Sequence, residues 1–248
     1  MIVRGAVVPH APVVLEQVQP SLEAGRRLRS EVASLDLTGA EAVVVVSPHG
    51  PRAGVYGRPE GALHGFGIED LEVARRSHGD VARALARAWD RPLIEGPADF
   101  GIVVPLLLGV GDDLPVVAVT LPEVTGPAAH PVDETLRDAA GLATALSSIA
   151  ERHDLAIVAS AHSSAGLSSR APLTELAGAL DVHRALLEGL EHDPAQTESV
   201  LERLHSVGNA CGIGPLAALA RLPTGRIRRR LSHEAPFGVG YLVGEWAS

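Results

Sequence analysis

The sequence predicts an α/β fold in which a central, mostly parallel or mixed sheet is flanked by helices, formed as one domain over residues 1–248. Short apolar runs rich in β-branched residues alternate with segments of helical periodicity, which is typical of strands joined by helices. The four valines at residues 43–46 favour a strand covered on both faces, as in a parallel sheet. A chain of 248 residues, 46% of them apolar, can bury a sizeable core.

The first half of the chain begins with this alternation. In order, the pattern predicts a strand, a helix, a strand, a hairpin or flap, a helix and a strand, at residues 2–8, 21–33, 42–46, 54–63, 73–89 and 115–120. Ser21 follows Pro20 and is the expected N-cap of the first helix. The glycine-rich segment 54–63 could cover a site beside the second strand.

The second half continues the alternation without a low-complexity linker. It predicts a helix, a strand, three helices and a closing antiparallel pair of strands, at residues 130–149, 155–159, 172–190, 194–204, 213–220, 227–231 and 239–243. Pro236 and Gly238 lie in the expected connection between the last two strands.

Composition and charge exclude several classes of partner. The net charge of −9 argues against general binding to phosphate backbones or anionic membranes. No apolar stretch approaches the roughly 20 residues that span a bilayer, and the N-terminus lacks a signal-peptide pattern. The single cysteine excludes an internal disulfide and fits a reducing compartment. We therefore expect a cytoplasmic protein that acts on a small molecule and binds neither nucleic acid nor membrane, while homo-oligomer formation stays open.

Two histidines stand at matching places in the predicted sheet. His10 and His49 each follow a valine-rich strand and a proline that ends the strand by removing a hydrogen-bond donor. Because ligands and metals gather at the carboxyl edge of open α/β sheets, we expect these imidazoles to share a site. The alternative is two unrelated loop histidines.

A third histidine follows the strand at residues 155–159, in the turn Ala159-Ser160-Ala161-His162-Ser163. His162 is thereby delivered to the same edge, where it fits an acid/base role better than nucleophilic catalysis, because no G-x-S-x-G elbow is present. A solvated loop histidine is the alternative. His64, on the flap, could line a substrate pocket, and Arg170 could hold an acidic substrate group. Five histidines in polar or helical stretches are expected to be solvated surface groups: His78, His153, His183, His192 and His205.

The only cysteine, Cys211, stands among small residues just before a helix that contains Pro215. Backbone N–H groups and the helix dipole at that end lower the pKa of a thiol, which suits a metal ligand or a nucleophile. An inert, packed thiol is the alternative reading.

The motifs occur in a distinctive order along nearly the whole chain: Pro9-His10, Ser-Pro-His-Gly at 47–50, Asp-Phe-Gly-Ile-Val-Val-Pro-Leu at 99–106, the turn at 160–172, and Phe-Gly-Val-Gly-Tyr at 237–241. This order resembles the class III extradiol ring-cleavage dioxygenase superfamily, which includes catechol-cleaving non-haem iron enzymes and the Memo-type redox proteins. The resemblance implies a fold of that type and one metal ion bound by His10, His49 and a third ligand near the C-terminus. Ring-cleaving members usually place a Glu four residues before Pro-Leu, whereas the Memo-type branch has Cys there, which implies Cys211 as that ligand.

The chain departs from the ring-cleaving pattern at two places. The dioxygenases read Asp-His-Gly where this chain has Asp99-Phe100-Gly101, so Phe100 would line the substrate pocket without the hydrogen bond that the histidine makes. Their acid/base histidine aligns with Ala165, and the Asp of the same turn aligns with His162. Normal ring cleavage is therefore in doubt unless His162 reaches the site from its shifted place.

These residues lead to one expected function and two alternatives. We expect a non-haem, metal-dependent oxidoreductase that acts on a small, aromatic, catecholic molecule. Fe(II) is the favoured metal, although a thiolate ligand shifts the preference toward copper or zinc. The alternatives are a non-catalytic or Memo-like metal-binding redox protein and a zinc-dependent hydrolase.

Overall fold

A computed structural model describes residues 1–125, 129–169, 175–192, 194–222 and 232–247. It shows an α/β fold in which a mixed, eight-stranded sheet is flanked by seven helices over these residues. The strands, including two that form a small separate sheet, are β1 (Ile2–Val8), β2 (Ala42–Gly50), β3 (Gly54–Tyr56), β4 (Glu60–Ala62), β5 (Glu72–Ala74), β6 (Leu93–Ile94), β7 (Val116–Pro122), β8 (Leu155–Ser160), β9 (Ser232–Glu234) and β10 (Tyr241–Ala247).

The helices lie on both faces of the large sheet. They are α1 (Glu23–Ala33), α2 (Gly79–Trp89), α3 (Phe100–Leu107), α4 (Val132–Ile149), α5 (Ala179–His192), α6 (Pro194–Gly208) and α7 (Ile213–Ala220). No helix among the described residues is both long and apolar enough to cross a membrane.

The large sheet has a parallel centre and antiparallel sides. Its strand order is β6-β3-β7-β2-β8-β1-β10-β9, and β7, β2, β8 and β1 run parallel to one another. The first strand also pairs antiparallel with β10, near the end of the chain. The carboxyl ends of β2, β8 and β1 therefore meet at one edge of the sheet, side by side.

The valine run of β2 is buried on both faces, as predicted. Val44 and Val46 belong to the core formed with α2, α4 and α7, whereas Val43 and Val45 belong to the core formed with α1 and α3. The alternation follows from the two-residue period of a strand. The two cores hold the central strands in register and so fix the position of the loops at their ends.

Several predicted boundaries are wrong in the first half. α1 begins at Glu23 with Leu22 as its N-cap, and Ser21 does not cap it. Segment 54–63 is no hairpin, because β3 joins the large sheet between β6 and β7 while β4 pairs with β5. The helix predicted at 73–89 begins only at Gly79, since the backbone of β5 pairs with β4.

The second half agrees better with its predicted elements, although the helix predicted at 172–190 begins only at Ala179 among the described residues and the strand predicted at 239–243 lies at Tyr241–Ala247. α7 has the predicted bounds, and β10 pairs antiparallel with β9 through the connection around Pro236 and Gly238. The predicted strand at 227–231 lies outside the described residues. Helix α3 was not predicted from its sequence, although Asp99 caps it through a side-chain bond to the Gly101 N–H.

Candidate metal centre

Three neighbouring parallel strands deliver a histidine each to the same edge of the sheet. His10 lies two residues beyond β1, His49 is the second-to-last residue of β2, and His162 lies two residues beyond β8. Because β8 lies between β1 and β2, the three side chains converge. The strand-Pro-His repeat therefore leads to a common place, as the sequence predicts.

Cys211 reaches this place from the start of α7. Gly212 packs so closely on the β8 turn that an added Cβ would lie 2.5 Å from the Ala161 Cβ and 2.9 Å from the His162 carbonyl oxygen. A side chain at position 212 would push α7 away from the turn. The glycine thus permits the approach that brings the thiol to the histidines.

The donor atoms of this His–Cys cluster, meaning His10, His49, His162 and Cys211, form a chain of close contacts. Nε2 of His10 is 3.0 Å from Nε2 of His49 and 3.3 Å from Sγ of Cys211. Sγ is also 3.2 Å from Nδ1 of His162. The buried group of His10, His162 and Cys211, whose ligand atoms all lie within 4.8 Å of one another, could hold a metal ion.

These separations match those between neighbouring ligands of one cation. With metal–nitrogen bonds of about 2.05 Å and a metal–sulfur bond of about 2.3 Å, a tetrahedral site separates N–N pairs by about 3.3 Å and N–S pairs by about 3.6 Å. The right angles of an octahedral site give about 2.9 Å and about 3.1 Å. The observed distances of 3.0, 3.2 and 3.3 Å fall close to these values, so the residues present fit a divalent metal ion.

The outer nitrogens of two imidazoles have anchoring groups. Nδ1 of His10 is 3.1 Å from the buried hydroxyl of Ser160. Nδ1 of His49 is buried and lies 3.5 Å from a carboxylate oxygen of Glu123, at ion-pair distance but without hydrogen-bond geometry. Partners on Nδ1 leave Nε2 of each ring directed at the cluster, which is how metal-binding histidines are commonly oriented.

A hydrogen-bond network around Asp99 supports the end of β2, which carries His49. One carboxylate oxygen of Asp99 accepts hydrogen bonds from Ser47 (2.5 Å) and the Gly101 N–H (2.9 Å). The other accepts from Tyr56 (3.1 Å) and Thr120 (3.0 Å). Ser47 in turn accepts a bond of 3.1 Å from the backbone N–H of His49. Asp99 therefore ties α3, β3 and β7 to the end of β2.

The charges of the thiol and the imidazoles are coupled. Burial by itself raises the pKa of Cys211, but the positive charges of the three histidines, led by His162, lower it well below its ordinary value. Burial lowers the pKa of His10. Burial also acts to lower the pKa of His49, but the charge and hydrogen bond of Cys211, with the contact to Glu123, raise it to about 10. The cluster thus favours a thiolate, which is the form of cysteine that binds metals.

Aromatic rings cover the His49 side of the cluster. The ring centroid of Phe100 is 4.1 Å from that of His49 and 5.7 Å from that of His10. Phe66 packs edge to face on Phe100, with centroids 5.0 Å apart. The predicted pocket residue Phe100 therefore lies beside the cluster.

Of the other two predicted substrate-binding residues, the structure describes only His64, which makes its contacts away from the cluster. His64 is exposed, with Nε2 3.1 Å from the carbonyl oxygen of Glu69, and it lines a separate cavity of about 680 Å³ with Glu60 and Glu72. Its role as a substrate-binding residue stays a prediction. Arg170 lies outside the described residues.

One surface prediction is wrong. His183 is buried, and its Nδ1 lies 2.6 Å from the hydroxyl of Ser163, with the ring of His233 5.4 Å away. Its place on the buried face of α5, one turn from Leu186, explains why a polar residue in a helical stretch is covered here.

Sequence reasoning missed Phe66, Ser160 and Glu123. A signal for Glu123 was present, because Leu121-Pro122-Glu123 ends β7 with the same strand-Pro-polar pattern as Ser47-Pro48-His49. Ser160 is the last residue of β8, and the sequence prediction selected His162, two residues later, as the site residue of this turn. Nothing in the local sequence of Phe66 indicates its contact with Phe100.

No model of a known protein family matches the chain, and no match is found among curated proteins. The resemblance to the extradiol dioxygenases therefore stays a prediction based on the motifs. Function has to be inferred from the chemistry of the site.

Proposed function

We propose that the protein is a metal-dependent oxidoreductase in which His10, His49 and Cys211 bind one divalent ion and a small catecholic molecule is the substrate. The observation that carries this proposal is that Nε2 of His10 contacts both Nε2 of His49 and the buried thiol of Cys211, beside the group of His10, His162 and Cys211 that could hold a metal ion. Two neutral imidazoles and one anionic ligand on one face of an ion leave positions for other molecules.

Fe(II) is the metal proposed for this site, and when bound it supplies the redox chemistry by which dioxygen reacts with a catechol. Both oxygen atoms of dioxygen enter the product, and the carbon–carbon bond beside the diol breaks, so no other oxidant is needed. His10 and His49 hold the ion as neutral ligands, which requires His49 to lose its proton when the ion binds. Ser160 and Glu123 keep the two rings oriented.

His162 is the proton-transfer group in this proposal. Its Nδ1 lies 3.2 Å from the Cys211 Sγ, so a proton on Nδ1 is directed at the thiolate. Nε2 is then the nitrogen that can take a proton from a hydroxyl of the substrate. Phe100 and the loop of Phe66 exclude water from the His49 side.

The test is anaerobic loading with Fe(II), followed by a panel of catechols and dioxygen, with metal content measured beside turnover. We expect yellow ring-cleavage products from the wild type. Cys211→Ala loses both metal and turnover, whereas His162→Ala keeps the metal and loses turnover. His192→Ala is the control, because that side chain is 70% exposed. Fully loaded protein that turns over no catechol with iron, copper or zinc contradicts the enzyme proposal.

A second candidate is a Memo-like metal-binding redox protein without substrate turnover. The specific observation in its favour is the same 3.2 Å contact, because Nδ1 of His162 lies close enough to the thiol to be a further donor to the same ion. Four protein donors leave less room for a substrate. Loss of metal from His162→Ala to the same extent as from Cys211→Ala would favour this candidate.

A further inference from the structure

The approach to the His–Cys cluster is aromatic, although the chain is poor in aromatic residues. Phe, Trp and Tyr make up only 3% of the sequence, yet one of its three phenylalanines, Phe100, packs on His49 and a second, Phe66, packs edge to face on Phe100. Such a concentration at one site calls for a function beyond general core packing.

Exposure increases in steps from the cluster to the surface along these rings. His10 is buried, His49 and Phe100 are partly exposed, and Phe66 is 51% exposed. Each ring contacts the next one, at centroid distances of 4.8, 4.1 and 5.0 Å. The path from solvent to the donor atoms on this side therefore runs past Phe66 and Phe100.

The backbone presents Phe66 in a defined position. It lies on a short 3₁₀ turn (His64–Phe66), closed by bonds from the Phe66 N–H to the Leu63 carbonyl and from the Gly67 N–H to the His64 carbonyl, both 2.9 Å. Leu63 is fully buried and anchors the turn. Gly67 has φ +70, a conformation that favours glycine, and open space surrounds it.

We infer that Phe66 and Phe100 form the entrance wall of the His–Cys cluster and select planar aromatic ligands over non-planar ligands of similar size. Phe66 is the specificity-determining residue of this wall, because its half-exposed ring can contact an incoming ring. The planar class named here rests on the proposed function, since it describes the substrate of that same site.

Ring chemistry explains the selectivity. Aromatic pairs adopt offset or edge-to-face contacts at centroid distances of about 4.5–7 Å, and the Phe66–Phe100 pair at 5.0 Å already uses this geometry. A flat ligand can extend the stack and cover the exposed part of Phe66. A puckered ring of the same size carries axial hydrogens that prevent equivalent contact.

The single cysteine allows a test on metal-free protein. Cys211 is the only thiol, so its alkylation by iodoacetamide reports access to the cluster. We compare protection by benzene-1,2-diol and by cyclohexane-1,2-diol. By mass action, a diol present at roughly twice its Kd slows alkylation about threefold. We expect this slowing with the aromatic diol and little with the saturated one.

Three variants of Phe66 distinguish its effect on access to Cys211 from its effect on ligand selectivity. Phe66→Ala should speed alkylation without diol and weaken aromatic protection by about threefold to tenfold, the size of one lost aromatic contact. Phe66→Leu should keep the slow alkylation but lose the preference for the aromatic diol. Phe66→Tyr should keep both the slow alkylation and the preference for the aromatic diol. These changes are at an exposed position, so the fold should tolerate them.

Phe237→Ala is the matched control, because Phe237 is 43% exposed and makes no ring contact with the cluster among the described residues. It should behave as wild type. Equal protection by both diols, or wild-type behaviour of Phe66→Ala, would overturn the inference. The assay needs neither metal nor turnover, so a failure of the oxidoreductase proposal is read separately, from the iron-loaded protein.

Discussion

The two edges of the sheet at strands β2 and β8 have histidines in opposite surroundings. At the carboxyl ends, His49 and His162 join His10 and Cys211 in the His–Cys cluster. At the amino ends, Glu41 precedes β2 and His153 precedes β8, and His78 completes an amino-edge group. β8 thus has an imidazole near each of its ends, whereas β2 has His49 at its carboxyl end and Glu41 at its amino end.

The difference between the edges lies in what the imidazoles face. At the amino edge, His153 bonds to the Glu41 carboxylate, and Nε2 of His78 lies 3.8 Å from it. Nδ1 of His78 accepts a hydrogen bond from the Val81 N–H, so its proton is on Nε2 when the ring is neutral. Glu41, a partly exposed acid, is thus the hydrogen-bond partner of His153 and an ion-pair neighbour of His78.

At the carboxyl edge, ring nitrogens face one another across 3.0 Å around a buried thiol. Two imidazole nitrogens can share only one proton, and burial makes any unpaired charge costly. A cation among the donors removes both difficulties. Convergence and burial, rather than the presence of histidines, therefore distinguish the candidate metal centre.

The largest expected effect comes from removing the thiol. Cys211→Ala should lower metal affinity by more than about 100-fold, because loss of a partner outside the ligand shell alone costs about 10–100-fold. Metal content after dialysis, measured by elemental analysis, checks this. Unchanged metal content would remove Cys211 from the ligand set and end the distinction between the two edges.

His183 tests burial of an imidazole without a nearby acid. Burial, then the charges of His233 and Arg184, lower its pKa to about 4 from 6.5. Above pH 6.5 the ring is neutral in both folded and unfolded chains and contributes no pH dependence. As the pH falls from 6.5 to 4, the unfolded chain takes up the proton first, so stability falls by as much as about 3 kcal/mol.

Urea unfolding at pH 7 and pH 4.5 measures this loss. His183→Gln should reduce the difference in unfolding free energy between the two pH values, while it keeps a group that can bond to Ser163. His192→Gln, at an exposed position, should leave the difference unchanged. An equal pH dependence in wild type and His183→Gln would show that His183 is not the group responsible.

The partners on the outer nitrogens should have a smaller effect than the thiol. Glu123→Gln and Ser160→Ala should each weaken metal binding about 10–100-fold, because each releases one ring from its orientation. The measurement is a competition titration against a chelator of known affinity. Affinities equal to that of the wild type would mean that the rings are held by packing alone.

The smallest effect is expected at the amino edge. Glu41→Gln should leave metal content unchanged and lower the unfolding free energy by less than about 1 kcal/mol, since the ion pair is partly exposed. Elemental analysis checks the metal content, and urea unfolding checks the unfolding free energy. Loss of bound metal from this variant would show that a metal site lies at the amino edge of the sheet, contrary to the proposal.

The local sequence was sufficient for the sheet and for half of the cluster. Valine runs need burial on two faces, and a proline at the end of a strand stops its pairing, so His10 and His49 could be placed at the carboxyl edge from these patterns. The length and glycine-rich composition of 54–63 were insufficient to predict how this segment pairs, because β3 and β4 pair with other strands and not with each other.

The amino-acid sequence by itself thus determined the α/β class, the parallel centre and the edge where the histidines emerge, because these depend on short-range periodicity. Only the tertiary structure decided that Cys211 meets His10 across 201 positions, that Nδ1 of His162 faces the thiol, and that Phe66 stacks on Phe100. Such contacts depend on how α7 and the Phe66 turn dock on the sheet. Docking is set by the packing of many remote side chains together, so no local pattern specifies it.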